Sequence, residues 1–456
     1  MLNEYRLILT MAIIPVLITV ACSSDTPTAA PPATSTEVIE NALPVPPATA
    51  TQAPTATPVP TETPPTSEIR STNPAPTREP TESFTVQKME LEPATGTAFE
   101  KLLSLLPDNQ ATREYTHLGD FAGFVDALGI DRIPPGSTAE ERNKYFEYTA
   151  RVDVYALSGL IAGWPAEQRD YQSLIDTYPD LAFDFMTVEQ FARSGDFFFN
   201  RDSRPITYDI ALGPFDPAET AAALSTCDCG QPEIREHGGI EYFAWGEGDG
   251  IGSIKDRHRR PFYDHLGRGP HLLVTKGAAY YTITNGVIDE YIDVIQGVRP
   301  SLADAEDYLQ AVQWMASMEV LGEITLRNQG FTVETIVEVL FGRADAADIA
   351  QSEPLLLPFT LAATGIGHDG ERTFAGLVLV HEDAVSAGPN LERLLARIRN
   401  VAPAGLGSSA AARPWSYRVD RIETQLSGRF LIAKIYFTVP NDSILLGIPG
   451  SLLVHE

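Results

Sequence analysis

The sequence predicts an α+β fold: a helical lead-in followed by two antiparallel-sheet units covered by helices, all behind a disordered N-terminal spacer. Three observations predict it. Residues 22–83 hold 14 prolines and 14 threonines and almost no large apolar side chain, too little to offset the entropy of ordering them. From Phe84 the chain turns globular in composition, first with helix-period apolar residues. Beyond residue 195, hairpin-like pairs of strands alternate with single helices, an order that favours an antiparallel sheet over a doubly wound parallel one.

The chain opens with Leu7–Ala21, an uncharged apolar run of fifteen residues behind Arg6. That length suits the core of an export signal better than a bilayer span, which needs about 20 residues. Thr19-Val20-Ala21-Cys22, followed by Ser23-Ser24-Asp25, resembles the lipobox of bacterial lipoproteins. The resemblance implies that residues 1–21 are a signal peptide. It also implies that Cys22 is acylated, palmitate being one such chain, and that the protein sits on the extracytoplasmic face of the cell membrane.

Residues 22–83 read as a tether with polyproline-II bias, able to stretch to about 190 Å or to average near 40 Å as a coil. The tether carries seven acidic and two basic residues, so most of the net charge of -28 belongs to the folded part. Such acidity excludes an extended phosphate-binding surface, and nucleic acid is not an expected partner.

Residues 84–194 read as a mostly helical lead-in. Phe99, Leu102, Leu103 and Leu106 form one apolar stripe and Phe121, Phe124, Val125 and Leu128 another. Ser137 with Glu140, and Thr187 with Gln190, have the spacing of capping boxes.

Residues 195–345 read as the first α+β domain. Asp196–Asn200 and Pro205–Leu212 flank a polar turn, and Asp216-Pro217-Ala218-Glu219 combines an N-cap, a proline at N1 and an acidic N3. Strands are expected at 240–245, 271–276, 279–284 and 319–328, with a helix over 287–295 and another opened by Ser301 and Asp304. Residues 346–456 read as a second α+β domain. Strands 355–363 and 373–381 precede a helix whose apolar face is Leu391, Leu394, Leu395 and Ile398, with Arg393, Arg397 and Arg399 towards its C-terminal end, where the helix dipole favours cations. Strands 415–425 and 429–439 close the unit around Ser427-Gly428. The similar order of elements suggests two related units.

Gly213-Pro214-Phe215-Asp216-Pro217 and Arg299-Pro300-Ser301-Leu302-Ala303-Asp304 resemble segments of uncharacterised bacterial envelope lipoproteins built from signal, spacer and α+β body. That resemblance implies no particular activity.

Motifs that carry chemistry are scarce. Gly365-Ile366-Gly367-His368-Asp369-Gly370 has the spacing of a dinucleotide-binding loop, but the residues after it read as a strand, so the glycines fit a hairpin better. No cofactor is expected. Cys227-Asp228-Cys229 leaves three readings open: a small-ring disulfide, free or externally paired thiols, or part of a metal site lacking its other ligands. The basic stretch 255–271 offers Arg257, Arg259 and Arg260 for an anion and His258, His265 and His271 for an anion or metal. Its plainer reading is a solvated loop paired with surrounding acids. Asp304-Ala305-Glu306-Asp307 and Glu382-Asp383 read as helix caps and exposed acidic surface.

The expected function is therefore that of a membrane-anchored extracytoplasmic binding or interaction protein, whose partner is another envelope protein or a small anionic ligand. An extracytoplasmic hydrolase with scattered catalytic groups is the alternative enzyme class, and a purely structural spacer protein the third reading. A deep pocket lined by several titratable groups would favour the hydrolase.

Overall fold

The computed structural model describes residues 84–132, 137–138, 141, 187–195, 206–226, 231–246, 269–329, 331–335, 352–401, 414–438 and 452–456. All belong to the second of two units into which the chain divides, Met1–Thr77 and Arg78–Glu456. The signal, the tether, Cys22, Cys227, Cys229, Arg257, His258, Arg259, Arg260 and His265 lie outside the described residues.

The protein is α+β. Its strands are β1 (Thr85–Lys88), β2 (Tyr115–Asp120), β3 (Gln190–Gly195), β4 (Thr207–Leu212), β5 (Glu233–His237), β6 (Ile240–Ala244), β7 (His271–Thr275), β8 (Ala278–Thr282), β9 (Val320–Arg327), β10 (Leu361–His368), β11 (Thr373–Val380), β12 (Val419–Ser427) and β13 (Phe430–Phe437). The α-helices are α1 (Ala98–Leu103), α2 (Gln110–Glu114), α3 (Phe121–Ala127), α4 (Pro217–Leu224), α5 (Val287–Ile295), α6 (Glu306–Ala316) and α7 (Ala384–Asn400).

Caps set several helix starts. Asp216 accepts from the N–H groups of Ala218 and Glu219 at 2.8 and 3.2 Å, with Pro217 occupying the position that needs no donor. Asp383 does the same for α7, and these bonds hold its carboxyl below the usual range. Ser301 and Asp304 close a reciprocal box, but around a 3-10 turn; α6 begins two residues later, at Glu306. A reciprocal pair stands in the lead-in: Thr138 N–H donates to Glu141 Oε2 and Glu141 N–H to Thr138 Oγ1, while Glu140, the expected partner of Ser137, lies outside the described residues. The run Ser-Thr-Ala-Glu-Glu contains the motif twice.

The strands form a single sheet in the order β1-β12-β13-β11-β10-β9-β2-β3-β4-β8-β7-β6-β5. Every neighbouring pair is antiparallel except β1 with β12. β2 and β9 meet near the middle. Outward from β9 the order β9-β10-β11-β13-β12 reads 1-2-3-5-4 in chain sequence, and outward from β2 the order β2-β3-β4-β8-β7 reads the same, setting aside the hairpin β5–β6 at the edge.

Three expectations change. The two sheet units share one sheet, because β9 of the first region pairs with β10 of the second. The lead-in is not mainly helical where it is described: it supplies β1, β2 and β3, the last two near the centre of the sheet. Gln190 opens β3 rather than capping a helix, since the alternation of Phe191 and Arg193 against Ala192 and Ser194 suits a strand buried on both faces.

Helices cover the two sheet faces differently. On one face α1, α2, α5 and α6 pack over a continuous apolar cluster that includes Leu102, Tyr291, Met315, Ile324 and Ile432. Gly365 and Gly376 allow α6 to approach β10 and β11. A Cβ on Gly365 would stand 2.8 Å from Met315 Cε and 2.3 Å from the Glu323 carbonyl oxygen. Gly365 and Gly367 thus lie inside β10 and only Gly370, at φ 90°, serves the turn before β11. On the opposite face there are two separate clusters. α3 and α4 cover Phe191, Ala211, Leu272 and Ala279, while α7 covers Ala362, Leu377, Leu379 and Ile435.

Candidate functional site

Between those two clusters the second face of the sheet is polar. Residues directly opposite one another on neighbouring strands project to the same side. The register aligns Thr364 with Thr325, Thr325 with His117, His117 with Arg193, Arg193 with Asp209, and Asp209 with Tyr281. Six polar side chains from six strands therefore stand in one row, about 24 Å long at the usual strand spacing. Tyr115 and Arg327 face each other one position along β2 and β9, with the guanidinium 5.0 Å from the phenol ring centre. Glu323 lies on the other side of the row.

His117 is fixed from two directions. Its Nε2 lies 3.1 Å from Glu323 Oε2, with both side chains less than one-fifth exposed. Its ring meets Phe191 edge-on at 5.2 Å. Phe191 can occupy that place because its neighbour on β2 is Gly119, where a Cβ would stand 2.1 Å from the ring. Asp209 is only 1% exposed and is the one charged residue of its strand, Thr-Tyr-Asp-Ile-Ala-Leu. Thr207, on the same face and 4% exposed, keeps its hydroxyl buried with no hydrogen-bond partner among the described residues. Burial pushes the Arg327 guanidinium below its ordinary range and Tyr115 opposes the shift.

Beside the row, towards α7, lies a cavity of about 30 Å³. Glu323, Thr325 and Thr364 line its polar side, and Leu377, Leu394 and Leu453 are among the residues on its apolar side. Glu323 is the one ionisable residue among its described lining residues. The row and the cavity thus share Thr325 and Thr364, and Glu323, beside the row, lines the cavity too.

Other polar clusters are structural. His381 and Asn390 are fully buried: Asn390 Nδ2 lies 2.8 Å from His381 Nε2, and His381 Nδ1 lies 2.9 Å from the Arg429 carbonyl. Asn390 also exchanges two hydrogen bonds with the backbone of Leu357. Arg397, expected towards the C-terminal end of α7, stands there and is buried. It donates to the carbonyls of Leu452, Ser352 and Pro354, and burial pulls its pKa down to about 10. His237 joins the β5–β6 hairpin to α5 through Asp293 at 2.8 Å. That hydrogen bond, the larger cause, raises its pKa.

His271, read from sequence as part of a basic loop, begins β7, is 1% exposed and places Nε2 3.1 Å from the Gly246 carbonyl. Asp304 closes a helical turn, as expected; Asp383, expected as exposed acidic surface, caps α7, and Asp307 pairs with Arg429. Among the described residues no group of three or more His, Cys, Asp or Glu is placed to hold a metal ion, and no helix is long and apolar enough to cross a membrane.

Sequence reasoning missed the polar row. The available signal was a charged residue inside a buried strand, as at Asp209 in Thr-Tyr-Asp-Ile-Ala-Leu.

No family model matches the chain, and no curated relative matches it. Among solved structures, crystal form I of TP0453 is similar over 77% of this chain and 97% of that one, at 10% identity and a TM-score of 0.33. Crystal form III of TP0453 is similar over 79% and 98%, at 11% identity and a TM-score of 0.35.

Proposed function

We propose that this chain is a lipid-anchored extracytoplasmic binding protein that takes a small anionic ligand on the polar row of its sheet. The row carries the reading. Ionisable side chains on a strand face are costly to bury, yet here Arg193, Arg327, His117, Asp209 and Glu323 are gathered between two apolar clusters, with the buried hydroxyl of Thr207 beside them. Arg193 and Arg327 on this face suit a carboxylate, which a guanidinium can hold in two parallel hydrogen bonds.

The lipobox-like Thr19-Val20-Ala21-Cys22 supports the anchor, and the proline–threonine tether supplies reach from the membrane. The common strand order on either side of β2 and β9 supports two related units fused through one sheet. The hydrolase alternative is less well supported, because the cavity is small and Glu323 is the one ionisable group among its described lining residues.

Calorimetric titration of the full chain with acetate and with inorganic phosphate tests the site. Saturable acetate binding, weakened tenfold or more by Arg193→Gln and retained better by Arg193→Lys, is expected. Silence with both anions would overturn the reading. Labelling cells with a clickable palmitate analogue tests the anchor: wild type takes the label and Cys22→Ser does not.

A further inference from the structure

Thr325 and Thr364 belong to both the cavity and the row, and Glu323 beside the row lines the cavity as well. Starting from His117, the next positions along the row are Thr325, Thr364 and then Leu377 on β11. Polarity falls off in that direction. Within three strand spacings, about 14 Å, a ligand would pass from a charged environment, over two threonines, to a wall of leucine side chains.

We infer that the ligand is an amphiphilic monocarboxylate of medium chain length, its carboxylate held at Arg193 and His117 and its terminal carbons in the cavity bounded by Leu377, Leu394 and Leu453. The inference rests on the reading of the polar row as an anion site.

Size and charge both constrain the occupant. A cavity of about 30 Å³ holds roughly two waters, against about 150 Å³ for one that takes benzene. It therefore admits the end of an alkyl chain and excludes a ring. The threonines between head and tail have hydroxyls that tolerate a passing chain without demanding a partner from it. Asp209 and Glu323 on the same face disfavour a second negative charge, so a dicarboxylate of the same length binds less well.

The test is a titration series on the full chain with acetate, butyrate, hexanoate, octanoate and dodecanoate, with octanol as the uncharged control. Each methylene that leaves water adds about fourfold in affinity, so affinity climbs from butyrate to octanoate and stops climbing by dodecanoate, where the cavity is full. Octanol binds at least tenfold more weakly than octanoate. Ala375 lines the cavity, and Ala375→Val, which narrows it, flattens the climb.

Acetate binding as tightly as octanoate would overturn the amphiphile and keep the anion site. Octanol matching octanoate would overturn the role of the row in holding the head. Failure of every carboxylate would overturn both. The wild-type series alone decides among these results, whether or not the variant folds.

Discussion

Replacing Arg397 with methionine tests how the C-terminal segment is held. The guanidinium is fully buried and donates to three backbone carbonyls, those of Leu452, Ser352 and Pro354. Methionine keeps most of the bulk and loses every donor. Three hydrogen bonds from a charged donor, at about 1.5–3 kcal/mol each, set the gross loss. Against it stands relief from burying the charge. The fall of the Arg397 pKa from 12.5 to about 10 corresponds to about 3 kcal/mol at 1.36 kcal/mol per unit. The net expectation is a destabilisation of about 3 kcal/mol, larger than most single substitutions cause.

Urea unfolding followed by far-UV circular dichroism reads that loss, and amide hydrogen exchange locates it. The N–H groups of Leu356, His455 and Glu456, which donate to the carbonyls of Val454, Phe331 and Leu356, exchange faster in the variant than those of β11. A change below about 1 kcal/mol, or uniform exchange across the sheet, would refute the view that Arg397 clamps this segment. Arg397→Lys, which keeps the charge without the planar fork, falls between the two.

Asn390→Leu leaves the Leu357 backbone and His381 Nε2 without partners in a dry site, so the urea midpoint drops by the equivalent of about 3 kcal/mol or more. Gly365→Ala drives a Cβ against the Glu323 carbonyl and Met315, and thermal unfolding shows a loss of about 2 kcal/mol. Stability depends on pH through His381, whose pKa is lowered mainly by burial, with the Arg429 carbonyl and Asp383 opposing. The unfolded chain then takes up a proton near its ordinary value of about 6.5 while the folded chain does not. The contribution is present above that value and is lost as pH falls from about 7 towards 5. Urea midpoints at pH 7.5 and 5.5 differ more for wild type than for His381→Gln; equal differences would contradict this.

Much of the fold was legible because its signals are local. Val287–Ile295 was read with its observed bounds, since Val287, Ile288, Tyr291, Ile292 and Val294 recur at the helical period and all are buried. Asp216-Pro217 announced α4 through cap chemistry. β2 and β3 were not legible. Tyr-Thr-His-Leu-Gly-Asp and Gln-Phe-Ala-Arg-Ser-Gly carry polar residues on the face that becomes the site, so the alternation that marks a half-buried strand is inverted. The burial of Arg397 was not legible for a related reason: an arginine near a helix C-terminus suits the dipole, and only the distant carbonyls of Ser352, Pro354 and Leu452 make its burial tolerable.

The site itself is assembled from six strands spread between His117 and Thr364. No window of the sequence contains it. Its members on β2 and β3 also obscure the apolar pattern of their own strands, whereas the strands at β4, β8 and β9 were expected from the sequence.

Histidine-selective nitrogen NMR of the full chain during an octanoate titration tests the account most directly. His117 shifts saturably with added ligand while His381, held in its own closed network, stays in place. If His117 stays still at saturating octanoate, or if both signals drift together without saturating, the polar row is not where an anion binds.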